Sequence, residues 1–370
     1  MKKRNISLTA GFCIFTGVVC AGFFILPKTD FSVNEKRVLQ SPPHFSLSSL
    51  WDGKFFASID SFIADHFTGR DFWIGLNAYS RQAAGLNAAN EIYRGKNGWL
   101  FERPLEDGKT FQDNINVLSA FVKQTDIPVT LLCVPTSGYM HPDKLPALHD
   151  WYPDKKMLEQ LQDIPGIEWV PIASALQAEP DAYYRTDHHW TSKGAYTAYG
   201  KLAQLWGLEQ ANISAYDIKV YDGFYGTAYS KSGLWATEPD EITIWQDPAV
   251  QAAVTITDEN KPFPVVQDSF FFPAHLQEAD KYPVYLDGNH AWVNLVTNAP
   301  SGKLLIVRDS YAHCFAPFLA RHFQQIDLID LRYYKEKTVS ETIAAGGYDK
   351  VLFLFGLSSI AGDRNLQWLE

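Results

Sequence analysis

Four short and mostly apolar runs constrain the fold of this chain more than any other feature. They lie at 129–134, 169–172, 303–307 and 350–355. Segments with helical periodicity separate them, as at 113–122, 155–161 and 192–206. A strand that is apolar throughout must be covered on both faces, and alternation with helices is typical of parallel sheets. We therefore predict an α/β fold with helices on both faces of a mostly parallel sheet.

The N-terminus contains an uncharged run from Ile6 to Leu26. A helix of this length rises about 30 Å, which matches the hydrocarbon thickness of a bilayer. Basic residues at 2–4 precede the run and favour a cytoplasmic N-terminus. We expect residues 1–27 to form a cytoplasmic tip and a transmembrane signal anchor, which would make this a single-pass protein of the cell membrane with its main domain outside the cytoplasm. A cleaved signal peptide is the alternative.

The region beyond the apolar run divides by composition. Residues 28–50 are rich in Ser, Pro and charge, which predicts an extracellular stalk. Residues 51–95 show the periodicity of two amphipathic helices and form a predicted helical N-terminal extension. Residues 96–370 contain the strand-like runs and form the predicted main domain. Within it, 216–245 is rich in Gly, Tyr and Ser and is predicted to be an antiparallel insertion near the site.

Charge and cysteine content exclude several classes of protein. The chain has 32 basic and 42 acidic residues, and three of the basic ones precede the apolar run. The remaining part is therefore strongly acidic, which disfavours binding to nucleic acid. Only Cys133 and Cys314 lie outside the apolar run, so the chain is not a disulfide-rich scaffold. We expect two buried thiols, with a single bridge as the alternative.

The most informative motif is Asp187-His188-His189-Trp190. Adjacent histidines beside a carboxylate can hold a metal or form the acid-base half of a serine hydrolase, and a surface or structural cluster is the alternative. A metal site needs further ligands, and no His-x-x-x-His or Cys-x-x-Cys motif supplies them, so we predict no metal. In an extended loop, side chains two apart point the same way. Asp187 would then orient His189, while His188 points away and Trp190 walls the site.

A second motif, Arg308-Asp309-Ser310, supplies a candidate nucleophile. It follows the apolar run at 303–307 and precedes an amphipathic helical pattern, which places Ser310 at a strand's carboxyl end and a helix N-terminus. Ligands bind at such positions, and free helix-terminal N–H groups can stabilise an oxyanion. A plain N-cap serine is the alternative. With His189 as base and Asp187 behind it, Ser310 completes a triad that needs no metal or cofactor.

Other residues are candidates for contacts with the substrate or the oxyanion. Asn289 could offer its amide to the oxyanion, although Gly-Asn pairs are turn formers first. Ser137 and Tyr139 follow the first apolar run, at the sheet edge expected for a substrate loop. Lone histidines such as His290 and His313 are predicted to be packing residues. The full set of these candidates is Asn289, Arg308, Tyr311, Ser137, Tyr139 and Trp190.

Five motifs together resemble the DHHW protein family. They are 97–101, 187–190, 226–231, 287–290 and 308–311, and they span nearly the whole region after the apolar run. That family is similar to the SGNH-hydrolase-like proteins of bacterial alginate O-acetylation, in which an Asp-x-His motif precedes a catalytic serine. The resemblance implies an SGNH-hydrolase-like, flavodoxin-like three-layer fold. It also implies that Asp187, His189 and Ser310 are the triad, in an order permuted relative to ordinary SGNH esterases.

The leading functional hypothesis is a membrane-anchored O-acetyltransferase that acts on a cell-surface polysaccharide. The resemblance implies a membrane-bound O-acyltransferase as the partner that supplies acyl groups. A carbohydrate esterase or deacetylase with the same triad is an alternative, since the two activities differ only in how water is excluded. A non-catalytic glycan-binding or assembly protein is a second alternative, favoured by an aromatic content of 14%. A metal-dependent phosphoesterase is a third.

Overall fold

The computed structural model describes residues 2–86, 88–258, 261 and 263–370. Met1 and Asn87, which belong to the predicted segments 1–27 and 51–95, lie outside the described residues. The chain forms two compact units. The first contains residues 1–90 and 229–237, and the second contains 91–228 and 238–370.

The first unit is mainly helical. Its elements are α1 (Lys2–Ile25), β1 (Phe31–Ser32), β2 (Arg37–Val38), α2 (Leu47–Trp51), α3 (Lys54–Asp65), α4 (Arg70–Ala83) and β3 (Ala88–Ala89). Within α1, Asn5–Ile25 has a mean hydropathy of 2.1 and no buried residues. It is long and apolar enough to cross a membrane, and its position near the N-terminus suits either a signal anchor or a signal peptide. Gly69 separates α3 from α4 with a φ of +69°.

Although residues 229–232 of the helix Thr227–Ser232 belong to the first unit, the second unit contains the remaining strands and helices. They are β4 (Ile92–Arg94), β5 (Leu100–Glu102), α5 (Lys109–Gln124), β6 (Val129–Val134), α6 (Ser137–Met140), α7 (Asp154–Gln162), β7 (Ile167–Trp169), α8 (Ala173–Ala178), α9 (Ser192–Trp206), β8 (Asp217–Phe224), α10 (Thr227–Ser232), β9 (Asp240–Gln246), β10 (Ala252–Thr257), β11 (Val265–Gln267), β12 (Trp292–Thr297), β13 (Lys303–Arg308), α11 (Ala312–Leu319), β14 (Gln325–Ile329), α12 (Val339–Gly346), β15 (Lys350–Gly356) and α13 (Leu357–Gly362).

The central sheet has eight strands in the order β11-β10-β12-β14-β13-β15-β6-β7. The five strands from β14 to β7 are parallel to one another. Strands β12, β10 and β11 extend this sheet with antiparallel pairing. The sheet is therefore mixed and mostly parallel, as the sequence predicts.

Burial along the parallel strands explains their apolar sequences. Leu131, Leu305 and Phe353 contribute to a core that includes Phe111 and other apolar residues of α5. The residues that alternate with them on the strands are also fully buried. Because successive side chains of a strand point to opposite faces, both faces of the sheet are covered.

Two segments differ in detail from the sequence pattern. The run predicted at 169–172 overlaps the observed strand Ile167–Trp169 only at Trp169, because Pro171 has no N–H to continue a ladder. The stretch at 216–245 contains an antiparallel pair, β8 and β9, whose register shifts between Tyr221 and Phe224. Helix α10 lies between these two strands in the chain.

Candidate active site

Ser310 lies directly between β13 and α11, at the carboxyl edge of the parallel strands. β13 ends at Arg308 and α11 begins at Ala312. The Asp309 carboxylate fixes this turn, because it accepts hydrogen bonds from the backbone N–H of Tyr311 at 2.9 Å and of Gly356 at 2.8 Å. Among the described residues, the Ser310 N–H donates to no protein acceptor. That N–H is consequently available to an oxyanion.

The structure brings Ser310, His189 and Asp187 together in one hydrogen-bonded chain. His189 Nε2 lies 2.7 Å from Ser310 Oγ, and His189 Nδ1 lies 2.5 Å from Asp187 Oδ1. Asp187 is 1% exposed and His189 is 5% exposed. The three groups are hydrogen-bonded in the order carboxylate, imidazole, hydroxyl. General-base activation of a serine requires this order.

Asp187 has further hydrogen-bond donors around it. The His189 backbone N–H donates to Oδ1 at 2.8 Å, and the Thr227 N–H donates to Oδ2 at 2.6 Å. Burial by itself would raise the pKa of Asp187, but the neighbouring His189 and His188 and the hydrogen bonds from His189 outweigh it and hold this pKa well below its usual range. Asp187 is therefore ionised at neutral pH, as the stabilisation of an imidazolium requires.

Contacts from Asp240 and Gly226 hold the loop that carries Asp187. The Asp240 carboxylate accepts from Arg185 N–H and Nε and from the N–H and hydroxyl of Thr186, at 2.7 to 3.2 Å. The Gly226 N–H donates to the Thr186 hydroxyl at 3.0 Å. A Cβ on Gly226 would lie 2.2 Å from the Asp187 Cβ, so only glycine fits there. Gly226 belongs to the motif 226–231, but its sequence does not indicate a contact with the Asp187 loop, and Asp240 belongs to none of the five motifs.

His188 does not point away from the site, so that expectation was wrong. Its ring centroid lies 3.9 Å from that of His189, and its Nδ1 lies 2.6 Å from the Thr227 hydroxyl. Residues 185–189 form bends and not an extended strand. The alternation of side chains that holds for strands therefore does not apply to them.

Tyrosine and tryptophan side chains surround the triad. The Tyr282 ring stacks on His189 with centroids 4.0 Å apart and planes at 12°. The Tyr311 ring lies 4.9 Å from His189, and its hydroxyl donates to the His188 carbonyl at 2.6 Å. Trp190 is fully buried, and its indole N–H donates to the Tyr311 carbonyl at 3.0 Å. Trp190 thus ties the histidine loop to the turn after Ser310.

The other predicted contact residues occupy different surroundings. Arg308 is fully buried, with His313 and Asp330 beside its guanidinium. The Asn289 side-chain oxygen accepts from Arg332 at 3.1 Å. Ser137 is buried in the short helix α6. Its neighbour Tyr139 lines a cavity of about 260 Å³ at the carboxyl ends of β6 and β7. Among these candidates, Tyr311 contacts His188 and His189, and Trp190, which belongs to the same motif as the histidines, contacts Tyr311.

The histidine motif also has the composition of a metal site. One ligand atom from each of Asp187, His188 and His189 lies within 4.8 Å of the others. However, both ring nitrogens of His189 and both carboxylate oxygens of Asp187 already take part in hydrogen bonds. These contacts favour proton transfer from the Ser310 hydroxyl to His189 over metal binding.

The two cysteines outside α1 are free and buried, as expected. Cys314 Sγ lies 3.7 Å from the Tyr282 hydroxyl. Burial raises the pKa of the Cys314 thiol to about 12, so the thiol stays protonated and inert at neutral pH.

The mixed sheet, with the Asp-x-His motif before the serine, defines an SGNH-hydrolase-like protein. A family model described as an SGNH hydrolase-like domain of the acetyltransferase AlgX matches residues 92–220. The model for DHHW proteins matches residues 35–95 and 175–329, which is more than half of the chain. The chain therefore belongs to the DHHW family. No curated protein matches it.

Solved structures share this fold. A DHHW family protein from Eubacterium siraeum is 24% identical with a TM-score of 0.64, over 76% of this chain and 95% of its own. Bacillus cereus PatB1, solved with a sulfonyl adduct, is 19% identical with a TM-score of 0.63, over 75% of this chain and 98% of its own. At these identities the similarity establishes the fold alone.

Proposed function

We propose that this protein is an extracytoplasmic O-acetyltransferase that uses Ser310, His189 and Asp187 to acetylate a cell-surface polysaccharide. The observation that carries the proposal is the unbroken hydrogen-bond chain from Asp187 through His189 to the Ser310 hydroxyl. The choice of acetyl transfer rests on the match of residues 92–220 to the acetyltransferase domain model. Family membership supports the class of enzyme, and the polysaccharide is the acceptor by analogy.

In the proposed first step, Ser310 Oγ attacks the carbonyl carbon of an acetyl ester. The Oγ–C bond forms while the hydroxyl proton moves to His189 Nε2. Asp187 stabilises the resulting imidazolium through Nδ1, and the Ser310 N–H donates to the oxyanion. When the tetrahedral intermediate collapses, the bond to the leaving oxygen breaks and that oxygen takes the proton from His189. An acetylated Ser310 remains.

In the second step a sugar hydroxyl replaces the leaving group. Its oxygen attacks the acetyl carbon, and its proton moves to His189 Nε2. Collapse then breaks the bond to Ser310 Oγ, which recovers its proton from His189. The products are an O-acetylated sugar and the original enzyme.

The N-terminal helix α1 bears on where the enzyme acts. We infer that α1 anchors the chain in the cell membrane with residues 28–370 outside, because its apolar segment spans 21 residues and the basic residues Lys2, Lys3 and Arg4 directly precede it. An outward-facing enzyme needs an acyl donor on that side. A membrane-bound O-acyltransferase is the proposed partner that delivers it.

An esterase is the second candidate function. Ser310 is partly exposed, in contrast to the buried His189 and Asp187, so water can approach the acetylated serine. Hydrolysis would use the same two steps, with water in the place of the sugar hydroxyl.

The test uses the full-length chain in detergent with an aryl acetate, in the presence and absence of oligosaccharides. We expect acetylation of the sugar, covalent labelling of Ser310 by a sulfonyl fluoride, and loss of both in Ser310→Ala. Ser214→Ala, at a remote exposed serine, should match the wild type. Prompt hydrolysis of the aryl acetate at a rate that oligosaccharides do not change would show that the protein is an esterase and not a transferase. Unchanged turnover in a folded Ser310→Ala would refute serine catalysis altogether.

A further inference from the structure

The His189 ring is covered by an aromatic side chain from a distant part of the chain. Tyr282 begins a 3-10 turn, Tyr282–Val284, in the connection between β11 and β12. Its ring lies parallel to the imidazole, 4.0 Å away with planes at 12°. Tyr282 is 6% exposed, so this contact is shielded from solvent.

Two hydrogen bonds alone do not fix the orientation of His189. The partners of Nδ1 and Nε2 define a line through the ring, but the ring can still tilt about that line. A flat group packed against the ring face prevents this tilt. We infer that Tyr282 is a positioning residue that holds the His189 plane so that Nε2 stays directed at Ser310, an inference that rests on the proposed triad.

Tyr282 also contacts the residue that carries the nucleophile. Its hydroxyl donates to the Ser310 carbonyl at 3.3 Å and lies 3.7 Å from Cys314 Sγ. Burial raises the pKa of Tyr282 well above its usual range, so the hydroxyl keeps its proton and remains a donor. One side chain therefore fixes the relative position of the base and of the Ser310 backbone.

The remaining ring contacts of His189 are less parallel. The His188 ring is tilted by 36° and the Tyr311 ring by 59°. His188 is also partly exposed, whereas Tyr282 packs against Tyr285 at a centroid distance of 5.4 Å. Of these three rings, Tyr282 is therefore the most nearly parallel to the imidazole and the most firmly packed.

The stack has an electrostatic consequence in the proposed reaction. His189 becomes a cation when it takes the proton of Ser310, and the face of an aromatic ring attracts cations. The contact is therefore stronger in the transition state than in the resting enzyme, which raises kcat and leaves KM nearly unchanged. Loss of the ring should lower kcat by about tenfold.

The test compares Tyr282→Leu, which removes the ring, with Tyr282→Phe, which keeps it. For the full-length chain acting on an aryl acetate, we expect kcat to fall by about tenfold in the leucine variant with KM nearly constant. The phenylalanine variant keeps the ring and loses only the long 3.3 Å hydrogen bond to the Ser310 carbonyl and the 3.7 Å contact with Cys314 Sγ, so it should retain most of the activity. The rate of sulfonyl fluoride labelling of Ser310 should fall by the same factor as kcat, because labelling needs the same activated hydroxyl.

Controls separate this inference from the proposed function. Tyr333→Leu, at an exposed tyrosine, should leave both rates unchanged. If Tyr282→Leu does not fold, Tyr282→Met supplies a flexible side chain without a ring and should show the same loss. Equal losses in the phenylalanine and leucine variants, or a change in KM alone, would overturn the positioning role while leaving the triad intact. Full activity in Ser310→Ala would overturn both.

Discussion

Replacement of Asp187 by asparagine should show whether turnover requires a correctly oriented His189, because His189 remains in this variant but loses the carboxylate that orients it. The carboxylate accepts from His189 at Oδ1 and from the Thr227 N–H at Oδ2. An asparagine offers one oxygen and one NH2 group at these positions. If the oxygen faces His189, the NH2 group opposes the Thr227 N–H. If the oxygen faces Thr227, the NH2 group opposes Nδ1 and favours the tautomer that is protonated on Nε2.

The size of the effect follows from this geometry. A donor left without an acceptor in a buried site costs about 1–3 kcal/mol, and Asp187 is 1% exposed. An imidazole protonated on Nε2 cannot accept the Ser310 proton, and the negative charge that stabilises the imidazolium is also lost. In serine triads this substitution lowers kcat by about 10⁴, or about 5.4 kcal/mol. We expect Asp187→Asn to lower kcat by about 10³- to 10⁴-fold.

The assay is aryl acetate turnover by the full-length chain, with urea denaturation to measure the free energy of unfolding. Asp181→Asn is the matched control, because Asp181 lies in the same part of the chain with a largely exposed carboxylate that pairs with Lys193. It should behave like the wild type. An Asp187→Asn protein that is folded and retains kcat within tenfold of the wild type would refute the assigned role of this carboxylate.

Gly226→Ala should lower kcat by about 100-fold, because the new Cβ would lie 2.2 Å from the Asp187 Cβ and displace that side chain; steady-state kinetics on the folded variant check this, and near-normal kcat would contradict it. His275 should make stability depend on pH. Burial would lower its pKa, but hydrogen bonds to Asp287 and Glu278 outweigh burial and raise it. Protonated His275 therefore stabilises the folded protein fully at pH values below its pKa in the unfolded chain, about 6.5. This stabilisation is lost as pH rises through the raised pKa of His275 in the folded protein. Unfolding free energies measured from pH 5 to 9 should show this decline, and His275→Gln should remove it.

Three of the five parallel strands are predictable from the sequence. Strand β7 is predicted only at Trp169, and both β14, in which Asp327 interrupts the apolar run, and the antiparallel half of the sheet are missed. The runs at 129–134, 303–307 and 350–355 correspond to β6, β13 and β15, because strands buried on both faces are continuously apolar. By contrast, β10 and β12 expose part of one face and interleave polar with apolar residues. Strict alternation would indicate a half-buried strand, but the adjacent apolar pairs Ala252-Ala253 in β10 and Leu295-Val296 in β12 interrupt it.

In the candidate site, too, some residues are predictable from the sequence and others are not. The positions of Ser310, His189 and Asp187 follow from short motifs next to a strand and a helix. Asp240 and Tyr282 could not be found in this way, because each reaches the site from a remote part of the chain. Thr227 holds Asp187 through its backbone N–H, which any residue other than proline could supply. Sequence patterns identify reactive groups, but long-range contacts determine how those groups are held.

Residues 229–237 belong to the first unit although they lie far from it in the sequence, and this affects where the protein can be shortened. Within that unit, the Trp235 indole donates to the Asp71 carbonyl and the Tyr79 hydroxyl accepts from the Ala236 N–H. A truncated chain that begins at residue 91 would lose these partners. The freed segment starts two residues after Thr227, whose N–H holds Asp187. Soluble versions for biochemistry should therefore begin near residue 28, since a cut at the start of the α/β unit would loosen the carboxylate on which turnover is expected to depend.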